Sequence, residues 1–495
     1  SAAYNWDKSM VMSETYGAMG DLSWDAIYTV AMEQYTKGIN MLIPHAVWYD
    51  DTRVTFKPEL SWRHPAYAGR LPEFNTYLAR LNTLLQNDAA HVADIAVLYP
   101  IATLQGSHHL DGPLGHYQGG VGVPEADYVD VGELLSVTLG RDYTFLHPEV
   151  LDRKCVIERG HLVLPNRVHP GRFSVLILPG HKTIQWTSLA KIKAFYDQGG
   201  CVLATGQLPS KSAEFGRDAD VVRAVTEMFD TSEPGADASA AFALSRNAEG
   251  GCAIRLRALS ADALRQALEA ARPVCDVAFQ PGQALRYIHK CRDSQHIYFF
   301  ANLDPKLSEC ALTLRGRHDL EAWNPHTGEI APVDSTHANR DGIALTRVRL
   351  ALPYLKSVFL VSATGTVDAI EADTRQGAGD SALAWPDATR ESRPWAYNWW
   401  LGSGVDTNNL ARELRRYRDA GLGGIHVIPI YGARGAESRY LEYLSPAWLD
   451  AFKFYVEEAG RLDLGVDMTT GTGWCFGGPN VPATDGGWQL RTSMV

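Results

Sequence analysis

Lys8-Ser-Met-Val-Met-Ser-Glu14 and, after a helical stretch, Gly38-Ile-Asn-Met-Leu-Ile-Pro-His45 open this chain as strand, loop, helix, strand. The other end repeats the pattern. Trp395 to Trp400 reads as a strand. Leu410 to Ala420 reads as a helix with Leu410, Leu414 and Tyr417 on one face, closed by Gly421. Gly424 to Ile428 is the next strand, Ser445-Pro446 caps and starts a helix reaching Arg461, and Leu464 to Met468 is a third strand. Polar and aromatic residues gather at the C-terminal strand ends, where a (β/α)8 barrel keeps its chemistry. The opening segment reads as the end of such a barrel and the closing segment as its beginning. Strands near Met10, Leu42, Trp399, Val427 and Val466 are therefore expected to neighbour one another in that order if the two segments dock.

Between these ends the period changes twice. Ile95 to Tyr99, Tyr143 to Leu146, Ser174 to Leu178 and Cys201 to Ala204 are apolar strands alternating with helices over Asp130 to Leu139, Thr187 to Gln198, Asp218 to Met228 and Ser260 to Ala271. That alternation predicts a doubly wound parallel sheet. After Pro281 the period becomes two, with short strands and the turn Asn324-Pro-His-Thr-Gly328, which predicts an antiparallel β-sandwich. The fold class is thus α/β plus β. Its expected parts are 1–90, the C-terminal part of a barrel; 91–277, a doubly wound domain; 278–363, a sandwich; 364–391, a linker; and 392–495, the N-terminal part of a barrel.

Composition narrows the partners. The 495 residues carry a formal net charge of −11, which argues against nucleic acid or an anionic membrane surface. No apolar run reaches the roughly 18 residues of a membrane span. Ser1 stands where Met would start a chain, so export stays open and the compartment, periplasmic or cytoplasmic, is undecided. The seven cysteines show no zinc spacing and read mostly as small buried residues, with an odd one left over.

Glu14 is the leading catalytic candidate. A carboxylate directly after an apolar strand and before a glycine-containing loop can act as acid, base or nucleophile; the plain alternative is a surface glutamate. His45, Trp48, Tyr49 and Asp50 follow the next strand, where an imidazole can donate to a sugar hydroxyl or sit satisfied in the core. Tyr397, Asn398, Trp399 and Trp400 end the strand after the linker; an asparagine suits hydroxyl recognition, while tryptophans stack on sugars or pack. Asp467 alternates with Val466 and Met468 and points inward, where a charge needs a partner, water or a metal. Thr469-Thr-Gly-Thr-Gly-Trp-Cys-Phe-Gly-Gly478 lacks a phosphate-loop ending and reads as a tight loop presenting Trp474. His108, His109, Asp111 and His116 offer metal donors at no standard spacing and read better as a solvated loop.

Several of these motifs resemble a known group. Met12-Ser-Glu14-Thr-Tyr-Gly17, Lys37-Gly-Ile-Asn40 and Pro44-His45 look like the late barrel of large bacterial glycoside hydrolases related to the family 106 α-L-rhamnosidases. Arg393-Pro-Trp395, Trp399-Trp400, Asp419-Ala-Gly-Leu-Gly-Gly424-Ile-His-Val and Met468-Thr-Thr-Gly-Thr-Gly-Trp474 resemble the start of the same barrel. The doubly wound part is similar to the glutamine-amidotransferase-like domain that follows the barrel in several glycosidases. Tyr298-Phe-Phe-Ala-Asn302 and Glu321-Ala-Trp-Asn-Pro-His-Thr-Gly328 are similar to the sandwich after it. The resemblance implies an inverting hydrolase of an oligo- or polysaccharide that often uses calcium, with Glu14 at one family carboxylate position. It places the partner carboxylate on middle barrel strands outside these 495 residues. The chain is then expected to be a fragment spanning two tandem copies, or a permutation, with little activity alone. Ser-Glu-Thr-Tyr stands where a rhamnosidase would show Ser-Ala-Glu-Ala-Phe, which leaves the sugar open. The rival reading is a non-catalytic carbohydrate-binding or scaffold protein that keeps the fold.

Overall fold

The computed structural model describes residues 1–49, 57–86, 88–107, 126–229, 240–280, 284–307, 309–366, 384–430, 432, 435–470 and 482–485. The chain is a mixed α/β protein with parallel and antiparallel sheets. It divides into two compact units: Ser1–Met10, Met32–Gly38 and Asn87–Ala384 form one; Val11–Ala31, Ile39–Gln86 and Trp385–Val495 form the other.

The second unit joins the two ends of the chain. Its strands are β1 (Met12–Thr15), β2 (Met41–Pro44), β3 (Val47–Trp48), β4 (Trp395–Leu401), β5 (Gly424–Ile430) and β6 (Gly465–Met468). All pairings among them are parallel: β1 with β2, β3 with β4, β4 with β5, β5 with β6. Since β3 continues β2 after two residues, the strands run β1, β2/β3, β4, β5, β6. This is the order expected of the strands near Met10, Leu42, Trp399, Val427 and Val466, with the first beginning at Met12 rather than Lys8.

Helices α1 (Leu71–Leu85), α2 (Thr407–Asp419) and α3 (Pro446–Arg461) belong to this unit. Asp406 caps α2 by accepting from the Asn409 N–H, and Ser445 caps α3 by accepting from the Trp448 N–H, with Pro446 in the first turn. α2 and α3 cover one face of the strands, where Ala396, Trp400, Ile425 and Val427 meet Leu410, Leu414, Tyr417, Trp448 and Tyr455. The alternate residues, Trp399, Ile428 and Ile430 with Ala46 and Trp48, form a smaller cluster on the opposite face. At the strand starts the Trp395 ring lies across β5 and β6. A side chain at Gly424 or Gly465 would come within 2.4 Å of that ring, so both positions are held to glycine. Polar contacts bind the early segment to the late one. Asn75 donates to the Ala420 carbonyl (2.7 Å), Asn82 to the Ser392 carbonyl (2.8 Å) and the Trp62 indole to Glu413 (2.9 Å).

The first unit holds two architectures. One is a six-stranded sheet ordered Phe242–Arg246, Cys252–Leu256, Cys201–Ala204, Val175–Leu178, Ile95–Leu98, Tyr143–Leu146; only Phe242–Arg246 is antiparallel. The five parallel strands thus follow the 2-1-3-4-5 order of a doubly wound sheet, with apolar clusters on both faces. Cys201 and Cys252 face each other in register and are joined as a disulfide, so these two are not simply small buried residues. The other architecture pairs a four-stranded with a six-stranded antiparallel sheet around Leu312, Leu314, Tyr298, Phe300 and Leu360. Its last edge strand, Ala90–His91, pairs with Leu285–Arg292 and lies far ahead of the other strands in sequence. Among the described residues no helix is long and apolar enough to cross a membrane.

Candidate active site

A row of polar side chains crosses the second unit on the face away from the helices. It starts at Glu14 in β1. The Glu14 carboxylate is half exposed and its Oε1 lies 3.8 Å from His45 Nε2. His45 follows β2 directly, is buried, and donates its backbone N–H to the Thr15 carbonyl (2.8 Å). Its ring meets Trp399 edge-on at 5.0 Å and Tyr397 at 6.5 Å. Tyr397 is in register with His426 on β5, ring centroids 5.1 Å apart, and His426 is in register with Asp467 on β6. The row therefore reads Glu14, His45, Tyr397, His426, Asp467, contributed by the strand lines of both chain ends.

The local backbone explains how Glu14 is presented. Tyr16, two residues on, has φ +72°, a left-handed conformation that costs a non-glycine residue about 1 kcal/mol or more. Its buried phenol donates to the Ile27 carbonyl (2.9 Å), which holds the turn. At Gly17 a Cβ would approach His45 Cγ to 3.3 Å, so the loop lies close over the Glu14–His45 pair.

Burial sets the charge states. It pushes the His45 imidazole below the usual histidine value, with Glu14 pulling the other way. It pushes His426 down likewise, opposed by Asp467. Burial raises the Tyr397 phenol, and the Glu14 charge adds to that. Between two carboxylates, burial thus disfavours the charged forms of both imidazoles and of the phenol. These groups can donate to and accept from hydroxyls without adding net charge.

Not every expected residue reaches this face. Asn398 points to the helices, buried, where it accepts from the Trp400 indole (2.6 Å) and donates to the Tyr417 hydroxyl (3.3 Å). Tyr49 also packs on the helix side, its hydroxyl bonded to Asp406 at 2.7 Å. Both placements follow from strand parity: a neighbour one residue along faces the opposite way. Trp48 and Trp399 are on the expected face but buried against each other, centroids 5.1 Å apart, as its packing. Asp467 is exposed at the far end of the row. Trp474, Asp50 and the His108–His116 group lie outside the described residues. His426 is the member that the sequence analysis did not single out. The available signal was a histidine between Ile425 and Val427 in an otherwise apolar strand.

Calcium takes six to eight oxygen ligands. The row offers carboxylates only at its two ends, and among the described residues no group of three His, Cys, Asp or Glu is arranged to hold a metal. The described residues of the row do not make a calcium cage.

The family model described as alpha-L-rhamnosidase, glycoside hydrolase family 106, matches residues 127–337 and 386–494. The chain belongs to that family. The match includes Tyr397, His426 and Asp467; Glu14 and His45 precede it. Among solved structures, a rhamnosidase from Novosphingobium sp. PP1Y is similar over 76% of this chain at 19% identity, with a TM-score of 0.53. A beta-galactosidase from Bacillus circulans sp. alkalophilus is similar over 73% at 12% identity, with a TM-score of 0.47. The chain spans 33% of the rhamnosidase and 57% of the galactosidase. No curated protein matches the sequence.

Proposed function

We propose that this family 106 chain carries part of the active site of an inverting α-L-rhamnosidase-like glycosidase, with Glu14 as one of its two acid–base carboxylates. One observation carries the reading: Glu14 stands 3.8 Å from a buried His45 at the head of a row of polar side chains. As acid, Glu14 gives its proton to the glycosidic oxygen as the bond to the anomeric carbon breaks. As base, it takes a proton from the water that attacks the opposite face of the sugar. His45 and Tyr397 hold the ring hydroxyls.

In this reading the strands of the second unit are the end and the start of a (β/α)8 barrel, spanning 1–90 and 392–495. The doubly wound, amidotransferase-like part is 91–277, the sandwich 278–363 and the linker 364–391. The second carboxylate comes from barrel strands not among these residues, which makes the chain a segment of a larger or tandem enzyme acting on an oligo- or polysaccharide.

The test is Glu14→Gln in the active enzyme on an aryl α-L-rhamnoside. General acid–base catalysis contributes roughly 10²–10⁴ in rate, so turnover falls at least about a hundredfold. Near-normal turnover on an accepted glycoside removes Glu14 from the mechanism. A robust rate from the 495 residues alone refutes the incomplete-barrel reading.

A further inference from the structure

Within the polar row one residue has a setting that packing alone does not require. His426 sits in β5 between Ile425 and Val427, both buried in the helix-side cluster, so its own ring is turned to the opposite face. There it is half buried, with the Tyr397 ring 5.1 Å away on one side and Asp467 in register on the other. The next inward residue along β5, Ile428, is apolar and closed off in the smaller cluster. A histidine at an inward position of an apolar strand costs desolvation unless its ring nitrogens find partners. A ligand hydroxyl supplies one that both accepts and donates.

We propose that His426 is a substrate-recognition residue of this face: an imidazole packed beside Tyr397 and in register with Asp467 that hydrogen-bonds the hydroxyls of a neutral sugar held against Glu14 and His45. The inference rests on the glycosidase reading and adds to it a specificity-determining residue from the late segment. It contacts the sugar through one ring nitrogen. Asp467, its in-register neighbour on β6, acts on it through its charge and is a positioning residue. Burial lowers the basicity of His426, opposed by Asp467, and so favours the uncharged ring suited to hydroxyl recognition.

The experiment is a titration of the full 495-residue chain, labelled with ¹⁵N-histidine, with L-rhamnose, and with D-galactose in parallel. The His426 ring signals are assigned by their loss in His426→Gln. Under the proposal, rhamnose moves the His426 signals, and His426→Gln weakens binding about tenfold, the size of a lost hydrogen bond or two. Asp467→Asn weakens it less and changes the His426 tautomer signature in the free protein. His181→Gln, deep in the other unit, binds as wild type. If rhamnose moves the His45 signals while His426 stays still and His426→Gln binds normally, the inference fails and the glycosidase reading stands. If galactose binds through His426 and rhamnose does not, the role of His426 holds and the rhamnoside assignment falls. If neither sugar perturbs any histidine, the inference falls, and the glycosidase reading is judged by the turnover of Glu14→Gln.

Discussion

The two parallel arrangements in this molecule treat their polar groups in opposite ways. In the doubly wound sheet, the crevice where ligands usually bind lies at the C-terminal ends of Ile95–Leu98 and Val175–Leu178. There the protein's own Asp127 fills the position. Its Oδ1 accepts from the Gly180 N–H (2.6 Å), and both oxygens accept from the Thr205 hydroxyl. His181 beside it is fully buried, its ring bonded to the Pro179 carbonyl. In the second unit the carboxylates are left exposed at the ends of the polar row. One set of β–α units has closed its crevice with a side chain, while the other keeps polar groups facing outward. A parallel β–α architecture alone therefore does not identify a site; what matters is whether the polar groups there already have partners.

Four measurements sharpen or break that contrast. The largest effect is the hundredfold or greater loss of turnover for Glu14→Gln, with the melting temperature nearly unchanged because a half-exposed carboxylate supports little packing. A large drop in melting temperature would make Glu14 structural, like Asp127. Asp127→Ala should do the reverse. It leaves the Gly180 N–H and Thr205 hydroxyl without their acceptor, costs about 1–3 kcal/mol in a denaturant titration, and leaves sugar binding as it was. Sugar binding lost at normal stability would show that the crevice serves the ligand.

Acid is the third probe. Burial lowers His181 to about 4 in the folded state, below the ordinary histidine value. The unfolded chain therefore takes up the proton first. The stability contribution is complete above pH 6.5 and is lost as pH falls from there toward about 4. By pH 5 the loss from His181 is about 2 kcal/mol. Thermal melts from pH 7 to 5 should steepen accordingly, and His181→Gln should flatten that slope. An unchanged slope would mean that the crevice is more open to water than its packing indicates. The smallest effect is Asn82→Ala, which removes the bond from α1 to the Ser392 carbonyl and costs about 1 kcal/mol by calorimetry.

The sequence made the strands of both ends legible because each is a short apolar run closed by glycine, proline or a capping residue. It also placed Glu14 and His45 together, since each directly ends or follows such a run. Face was harder to read. Tyr397 and Asn398 are adjacent and equally polar, yet one joins the row and the other bonds to Tyr417 among the helices. Only the register with β5 decides between them. Asp127 gave no signal, because its partners Gly180 and Thr205 lie 53 and 78 residues away. The strand Ala90–His91 was likewise hidden: two residues make no period, and its partner is about 200 residues later.

The bonds of Asn75, Asn82 and Trp62 to the late segment have a kinetic meaning. The unit they help hold together is continuous in space but interrupted in the chain by Asn87–Ala384. During synthesis the early strands emerge long before their partners, and Trp48 has no Trp399 to pack against until the chain reaches β4. Loop-closure cost grows only slowly with length, so the delay does not forbid the final pairing. It does leave an unpaired strand edge waiting through the synthesis of an entire neighbouring unit, the condition in which strands pair with the wrong chain. Folding yield should therefore depend on how fast the last hundred residues arrive, a sensitivity that the interior sheets, with their partners closer in sequence, do not share.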